Sequence, residues 1–265
     1  MGGGQKDSGY YRYEADNEDG NGRIVYERKG FQKSTRIYLD SAKIYPQRRI
    51  ISECSIAEKN ESYCRKIIEY CQEKGISITL FVSPINELEL ISTLDYDDYV
   101  TKITELASEY GIPFYDFNLV REEYLPIQED KYFMDEGHLN QYGAEMFTPF
   151  FYQVVTGEEK ANEKYFYNSY AEKLRELPPT VYGVYFEEPR GRTEKTMWIA
   201  SNRDAEMEYR IILTPSEGDQ YMVQDFDENK EFQVPSEEQG ICTIVARTKN
   251  EPDVVQTIEI NYKRE

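Results

Sequence analysis

A single histidine occurs among the 265 residues, and it lies in the densest chemical signal of the chain, Tyr132-Phe133-Met134-Asp135-Glu136-Gly137-His138-Leu139-Asn140-Gln141-Tyr142-Gly143-Ala144-Glu145-Met146-Phe147. Asp135 precedes His138 by three. At that spacing a carboxylate held in a tight turn accepts a hydrogen bond from imidazole Nδ1, which fixes the tautomer and leaves Nε2 to act as a base. Taken alone, four such residues also describe an ordinary hydrogen-bonded surface turn, so the reading depends on what surrounds them. The four cysteines, Cys54, Cys64, Cys71 and Cys242, contain no C-x-x-C pair. With one histidine and no paired thiols, neither a zinc site of the nitrogen and sulfur type nor any other metal or cofactor is expected. Cys64 and Cys71 stand seven apart, two turns along one helix face, too far to bridge, and are read as core thiols.

The elements that must position the pair are legible as periodicity. From about Asn60 to Lys74 the apolar positions Tyr63, Cys64, Ile67, Ile68 and Cys71 recur in steps of three and four and stop at Gly75, which predicts an amphipathic helix with a glycine cap. Ile76-Ser77-Ile78-Thr79-Leu80-Phe81-Val82 follows as a buried, central strand closed by Ser83-Pro84. The same order repeats: Tyr99 to Tyr110 as helix, Gly111, then Ile112-Pro113-Phe114-Tyr115-Asp116-Phe117 as a short strand. Helix, glycine, strand written twice is the pattern of a parallel sheet with functional groups at the carboxyl ends of its strands. Upstream, residues 9 to 31 read as a β-hairpin, and downstream a helix from Gln141 through Val155 is expected to bend or restart at Pro149.

Composition changes after Val155. Residues 158 to 176 read as a charged linker helix stopped by Pro178-Pro179, and from Val181 onward seven short alternating runs predict a small antiparallel β-sandwich. The expected organisation is therefore an α/β domain over 1–157, a linker over 158–180 and a sandwich over 181–265. The tyrosine-rich stretch Tyr165 to Tyr170 is read as packing between them, and the acidic runs Asp95 to Asp98 and Asp225 to Asn229 as turns and helix caps rather than calcium loops.

Lys plus Arg number 31 against 50 Asp plus Glu, a net charge of −19. Such a surface opposes nucleic acid and anionic membrane faces, because neutralising phosphate needs cations. No apolar run approaches the roughly 20 residues that cross a bilayer.

The extended block D-x-x-H-L-N-x-x-G-A-x-x-F, arriving after helix-glycine-strand units, resembles the last motif of the SGNH (GDSL-like) hydrolases and acyltransferases, over roughly residues 10 to 156. The resemblance implies a flavodoxin-like three-layer α/β sandwich and a Ser-His-Asp triad in which His138 is the general base and Asp135 its orienting partner. Leu139, Gly143, Ala144 and Phe147 match packing positions of the helix that follows, and Ser83-Pro84 is similar to the strand-end segment of cell-surface members that modify polysaccharides. It further implies an acylated carbohydrate or cell-wall polymer as partner and an extracellular or cell-surface location, with the cytoplasm as the alternative.

The family's nucleophile follows a hydrophobic first strand, which residues 1 to 9 do not supply; Asp7-Ser8 has the dipeptide without the strand, so Ser8 is a weak nucleophile candidate. No Gly-x-Asn-Asp block is present, which leaves Asn86, just past the strand, as a weak candidate for the oxyanion hole. The chain thus reads as the carboxyl-terminal part of such a domain, with the chain alone expected to be nearly inactive. Two functions are expected: an esterase or O-acyltransferase, or a non-catalytic surface, carbohydrate-binding or scaffold module that keeps the fold without the nucleophile. Oligomeric state leaves no mark in the sequence.

Overall fold

The computed structural model describes residues 14–16, 23–28, 31–37, 44–45, 56–93, 95–127, 130–135, 137–157, 162–187, 193–236, 238–252 and 255–262. Ser8 and Cys54 lie outside them. Of the expected amino-terminal hairpin, β1 (Glu14–Asp16), β2 (Arg23–Arg28) and β3 (Phe31–Ser34) are described, paired antiparallel in the order β1-β2-β3. β4 (Ile44–Tyr45) pairs in parallel with a strand far along the chain, at Val184 and Tyr185.

The two helix-glycine-strand units share one stop signal. Helix α1 (Glu58–Glu73) ends at Gly75 with φ 67°, and Ile76 N–H returns to Cys71 O at 2.8 Å. After α2 (Glu87–Ser92), helix α3 (Tyr96–Glu109) ends at Gly111 with φ 62°, and Ile112 N–H returns to Ala107 O at 3.0 Å. A Cβ at either glycine would meet nothing within 4 Å, so backbone handedness rather than space selects the residue.

The strands after those glycines depart from expectation. Among the described residues only Leu80–Val82 (β5) and Phe114–Asp116 (β6) of these runs pair, in parallel and as a sheet of two strands. The three-layer flavodoxin-like sandwich is therefore not built: five helices accompany mostly antiparallel strands among the described residues, and the all-parallel sheet stops at this pair. Pro113 explains part of the shortening. Its carbonyl accepts from Leu80 N–H at 2.9 Å, but it has no N–H to carry the ladder back toward Ile78. The run 76–82 is not a buried central strand either, since Ile76 and Phe81 are about half exposed (52% and 49%). On α1 only Ile68 is buried, Tyr63 and Ile67 face solvent, and Cys64 and Cys71 are half-buried rather than core thiols.

Helix α4 (Gln141–Thr156) runs unbroken through Pro149 and packs on the strand pair by its aromatic face. Phe151 meets Phe81, and Phe117, just past β6, meets Phe147, Phe150 and Phe151. The continuous linker helix is also corrected. Glu163–Tyr165 is a single 3₁₀ turn, Phe166 bridges to Val120, and α5 spans only Tyr170–Glu176. Polar groups fix its start: Ser169 Oγ accepts from Glu172 N–H at 3.0 Å, and Asp97 accepts from Tyr170 and Ala171 N–H at 2.6 and 3.0 Å.

From Val181 onward seven strands form two sheets. β9 (Met207–Pro215), β10 (Tyr221–Asp227), β12 (Gly240–Thr248) and β13 (Val255–Tyr262) lie in the order β10-β9-β12-β13. β7 (Val181–Glu187), β8 (Glu194–Ser201) and β11 (Glu231–Pro235) join β4 in the order β11-β8-β7-β4. Alternate residues point inward, so Tyr209, Ile211, Leu213, Ile244 and Ile260 of one sheet share a core with Val184, Met197, Ile199 and Val234 of the other. Helix α2 lies on β7 and β8, where Leu88 packs with Tyr185 and Ala200.

Candidate functional site

The stretch before α4 folds back on itself. Phe133 and Leu139 form an isolated antiparallel bridge, Met134 N–H donates to His138 O at 2.9 Å, and Asn140 N–H donates to Tyr132 O at 3.0 Å. Between these limbs Asp135 Oδ1 accepts from Gly137 N–H at 3.0 Å, a local turn that fixes the carboxylate. His138 Nδ1 lies 2.8 Å from Asp135 Oδ1 and 3.1 Å from Oδ2. With Nδ1–H donating to the carboxylate, the lone pair sits on Nε2. The imidazole side chain is 76% exposed, and Asp135 is its hydrogen-bond partner among the described residues. The spacing of three thus produces an oriented imidazole–carboxylate pair at the amino end of α4.

Asn140, which the sequence reading passed over, organises the surroundings. It is 1% exposed, and its Oδ1 caps α4 by accepting from Tyr142 and Gly143 N–H at 2.9 and 3.0 Å. Its Nδ2 donates to Lys131 O, Phe133 O and Arg36 O at 2.7, 3.1 and 3.1 Å. Gly143 then passes so close to the loop that a Cβ would lie 2.3 Å from Tyr132 O. An Asn three residues before a Gly, opening a helical run, is the signal that marks both, since Asn is a favoured amino-terminal cap.

Ser8 lies outside the described residues. Asn86 is 3% exposed, and its Oδ1 accepts from Leu88 N–H at 2.9 Å, which is the work of the α2 cap; neither His138 nor Asp135 hydrogen-bonds to it. The sequence also gave no warning of a buried polar cluster beyond β6. Tyr96 Oη donates to Asp116 Oδ2 at 2.7 Å, and Asn118 donates from Nδ2 to Tyr96 Oη at 2.9 Å and from its N–H to Asp116 Oδ1 at 3.0 Å. Lys173 Nζ, 1% exposed, pairs with Glu87 and donates to Asn118 O at 2.9 Å. Burial pushes the Asp116 carboxyl above the ordinary range, against the hydrogen bonds from Tyr96 and Asn118. Burial and the neighbouring Asp116 drive the Tyr96 hydroxyl up in turn. These residues come from four separate segments, α2, α3, the end of β6 and α5, that no local pattern connects.

Among the described residues, no three His, Cys, Asp or Glu side chains stand together to hold a metal ion. No helix among them is long and apolar enough to cross a membrane.

Residues 21–159 match the model of an uncharacterised protein family, more than half of the chain, and the chain belongs to that family. The match includes the whole His138 loop and stops before the seven consecutive strands that begin at Val181. No curated protein and no solved structure matches the chain.

Proposed function

We propose that the His138–Asp135 pair is the proton-transfer part of an acyl-transfer centre, of the esterase or O-acyltransferase type, acting on an acylated carbohydrate or cell-surface polymer. The observation that carries this reading is the pair itself: Nδ1 held 2.8 Å from Asp135 Oδ1, on an imidazole that is 76% exposed. In such a centre a hydroxyl oxygen attacks the ester carbonyl, Nε2 of His138 takes the hydroxyl proton, and the Asp135 carboxylate stabilises the imidazolium that forms. The same imidazolium then returns its proton to the leaving oxygen. Water as final acceptor gives hydrolysis, and a sugar hydroxyl gives transfer. The resemblance of D-x-x-H-L-N-x-x-G-A-x-x-F to the SGNH motif adds the substrate class to the proposal.

A second reading has its own observation. No serine hydroxyl among the described residues hydrogen-bonds to His138, which favours a non-catalytic surface or scaffold module. Hydrolysis of p-nitrophenyl acetate by the 265-residue chain separates the two. A catalytic centre shows a slow rate that His138→Ala abolishes, Asp135→Asn reduces and Ser8→Ala leaves alone. A wild-type rate no greater than that of His138→Ala refutes the proposal and leaves the module.

A further inference from the structure

We infer that Asn140 is a positioning residue for the His138–Asp135 pair, and that through it the chain just after β3 helps to set the pose of the imidazole. The inference rests on the reading of that pair as a proton-transfer site.

Asp135 and His138 sit on opposite limbs of the loop, one leaving Phe133 and the other returning to Leu139. Their 2.8 Å contact holds only while the limbs stay in register. Packing of the imidazole itself does not fix the contact, because the ring is 76% exposed, although Phe133 and Leu139 at the feet of the limbs are packed. Backbone ties join the limbs between those feet and the site: the Phe133–Leu139 bridge, the Met134–His138 bond and the bond from Asn140 N–H to Tyr132 O.

Asn140 stands at the foot of the returning limb and grips the departing one. Its Nδ2 donates to Phe133 O and Lys131 O, so one carboxamide spans both limbs. The third acceptor, Arg36 O, belongs to the stretch that leaves β3, 104 residues away in sequence. Two N–H bonds thus serve three carbonyls, one of them shared. Near the same place Ser34 is 1% exposed and its Oγ accepts from Arg36 N–H at 3.1 Å, which holds the Arg36 backbone in a turn. On its other side Asn140 Oδ1 is fixed to the first turn of α4. A buried carboxamide bonded on every side has one orientation available, and the loop inherits it.

Serine at position 140 separates these duties. Its hydroxyl still caps α4, but it presents no N–H pair to the three carbonyls. The single histidine gives the readout, because the ring nitrogens of His138 are the imidazole signals of the protein in a ¹⁵N spectrum. In the wild type the protonated nitrogen is Nδ1, and the Nδ2 protons of Asn140 exchange slowly with solvent. In Asn140→Ser, with helix content retained by circular dichroism, the preference for Nδ1–H is lost. A folded Asn140→Ser with unchanged His138 nitrogens, even one with a lowered thermal midpoint, assigns Asn140 to stability alone and overturns the inference. Should that variant not fold, the wild type decides in urea below its unfolding transition. Loss of Nδ2 protection and loss of the Nδ1–H preference are then expected together, and a tautomer that outlasts the protection overturns the inference. Neither readout uses an ester, so an inactive wild type would refute the proposed function without touching this result.

Discussion

Gly143→Ala sets two well-known tendencies against each other, and the structure decides the sign. Replacing a helical glycine by alanine gains about 1 kcal/mol from propensity alone. At this position the added Cβ would stand 2.3 Å from Tyr132 O and 2.9 Å from Leu139 Cδ2, where ordinary contact begins at 3.4 Å. Backbone must therefore move by about 1 Å, and forced overpacking of this kind costs about 1 to 3 kcal/mol. The carbonyl that must move is the one Asn140 N–H donates to at 3.0 Å, and losing that bond adds about 0.5 to 1.5 kcal/mol. The expected net is a destabilisation of about 1 to 3 kcal/mol, a fall of about 3 to 10 °C in thermal midpoint for a chain of this size. Urea unfolding followed by circular dichroism measures it, with Gly137→Ala as control. A Cβ there meets nothing within 4 Å, so its effect should stay within about 0.5 kcal/mol. A Gly143→Ala protein that is neutral or more stable would refute the close approach of α4 to the loop.

Lys173→Met strands the buried Glu87 carboxylate, so a loss of about 3 to 5 kcal/mol is expected in urea unfolding, with most of it recovered in Lys173→Met/Glu87→Leu; equal losses in both would contradict a buried pair. Asp116 has a folded-state pKa raised from 3.8 by burial, so the folded protein holds that proton more tightly than the unfolded chain does. Its contribution to stability is full below pH 3.8 and is lost as pH rises through the raised value, so Asp116→Asn should cost less at neutral pH than at pH 3 to 4; a cost that grows with pH would have the wrong sign. Burial pushes the Cys242 thiol up to about 12, so iodoacetamide at pH 8 should modify the half-buried Cys64 and Cys71 and leave Cys242 intact until the protein unfolds, as read by peptide mass spectrometry.

The parts of this architecture that follow local rules were legible. Gly75 and Gly111 stop their helices for a conformational reason visible in the sequence, and the period of two after Val181 marks strands whose alternate residues are inside. What was not legible depends on neighbours. The run 76–82 has the composition of a central strand, but a strand is central only when both edges are paired, and among the described residues β5 pairs with β6 alone. Helix α1 shows the same limit, because its stripe at Tyr63, Ile67 and Ile68 has core periodicity, yet only Ile68 finds a core. At the site, the i, i+3 relation of Asp135 and His138 was sufficient to place two side chains in contact. The role of Asn140 was not, since its third acceptor lies 104 residues upstream.

The central claim is that His138 presents a basic Nε2 because Asp135 holds Nδ1–H, and the ¹⁵N spectrum of the only histidine tests it directly. With the ring neutral, the wild type should show a protonated Nδ1 and a bare Nε2, a pattern that Asp135→Asn weakens. A wild-type ring protonated chiefly at Nε2, or one unaffected by Asp135→Asn, would contradict the account.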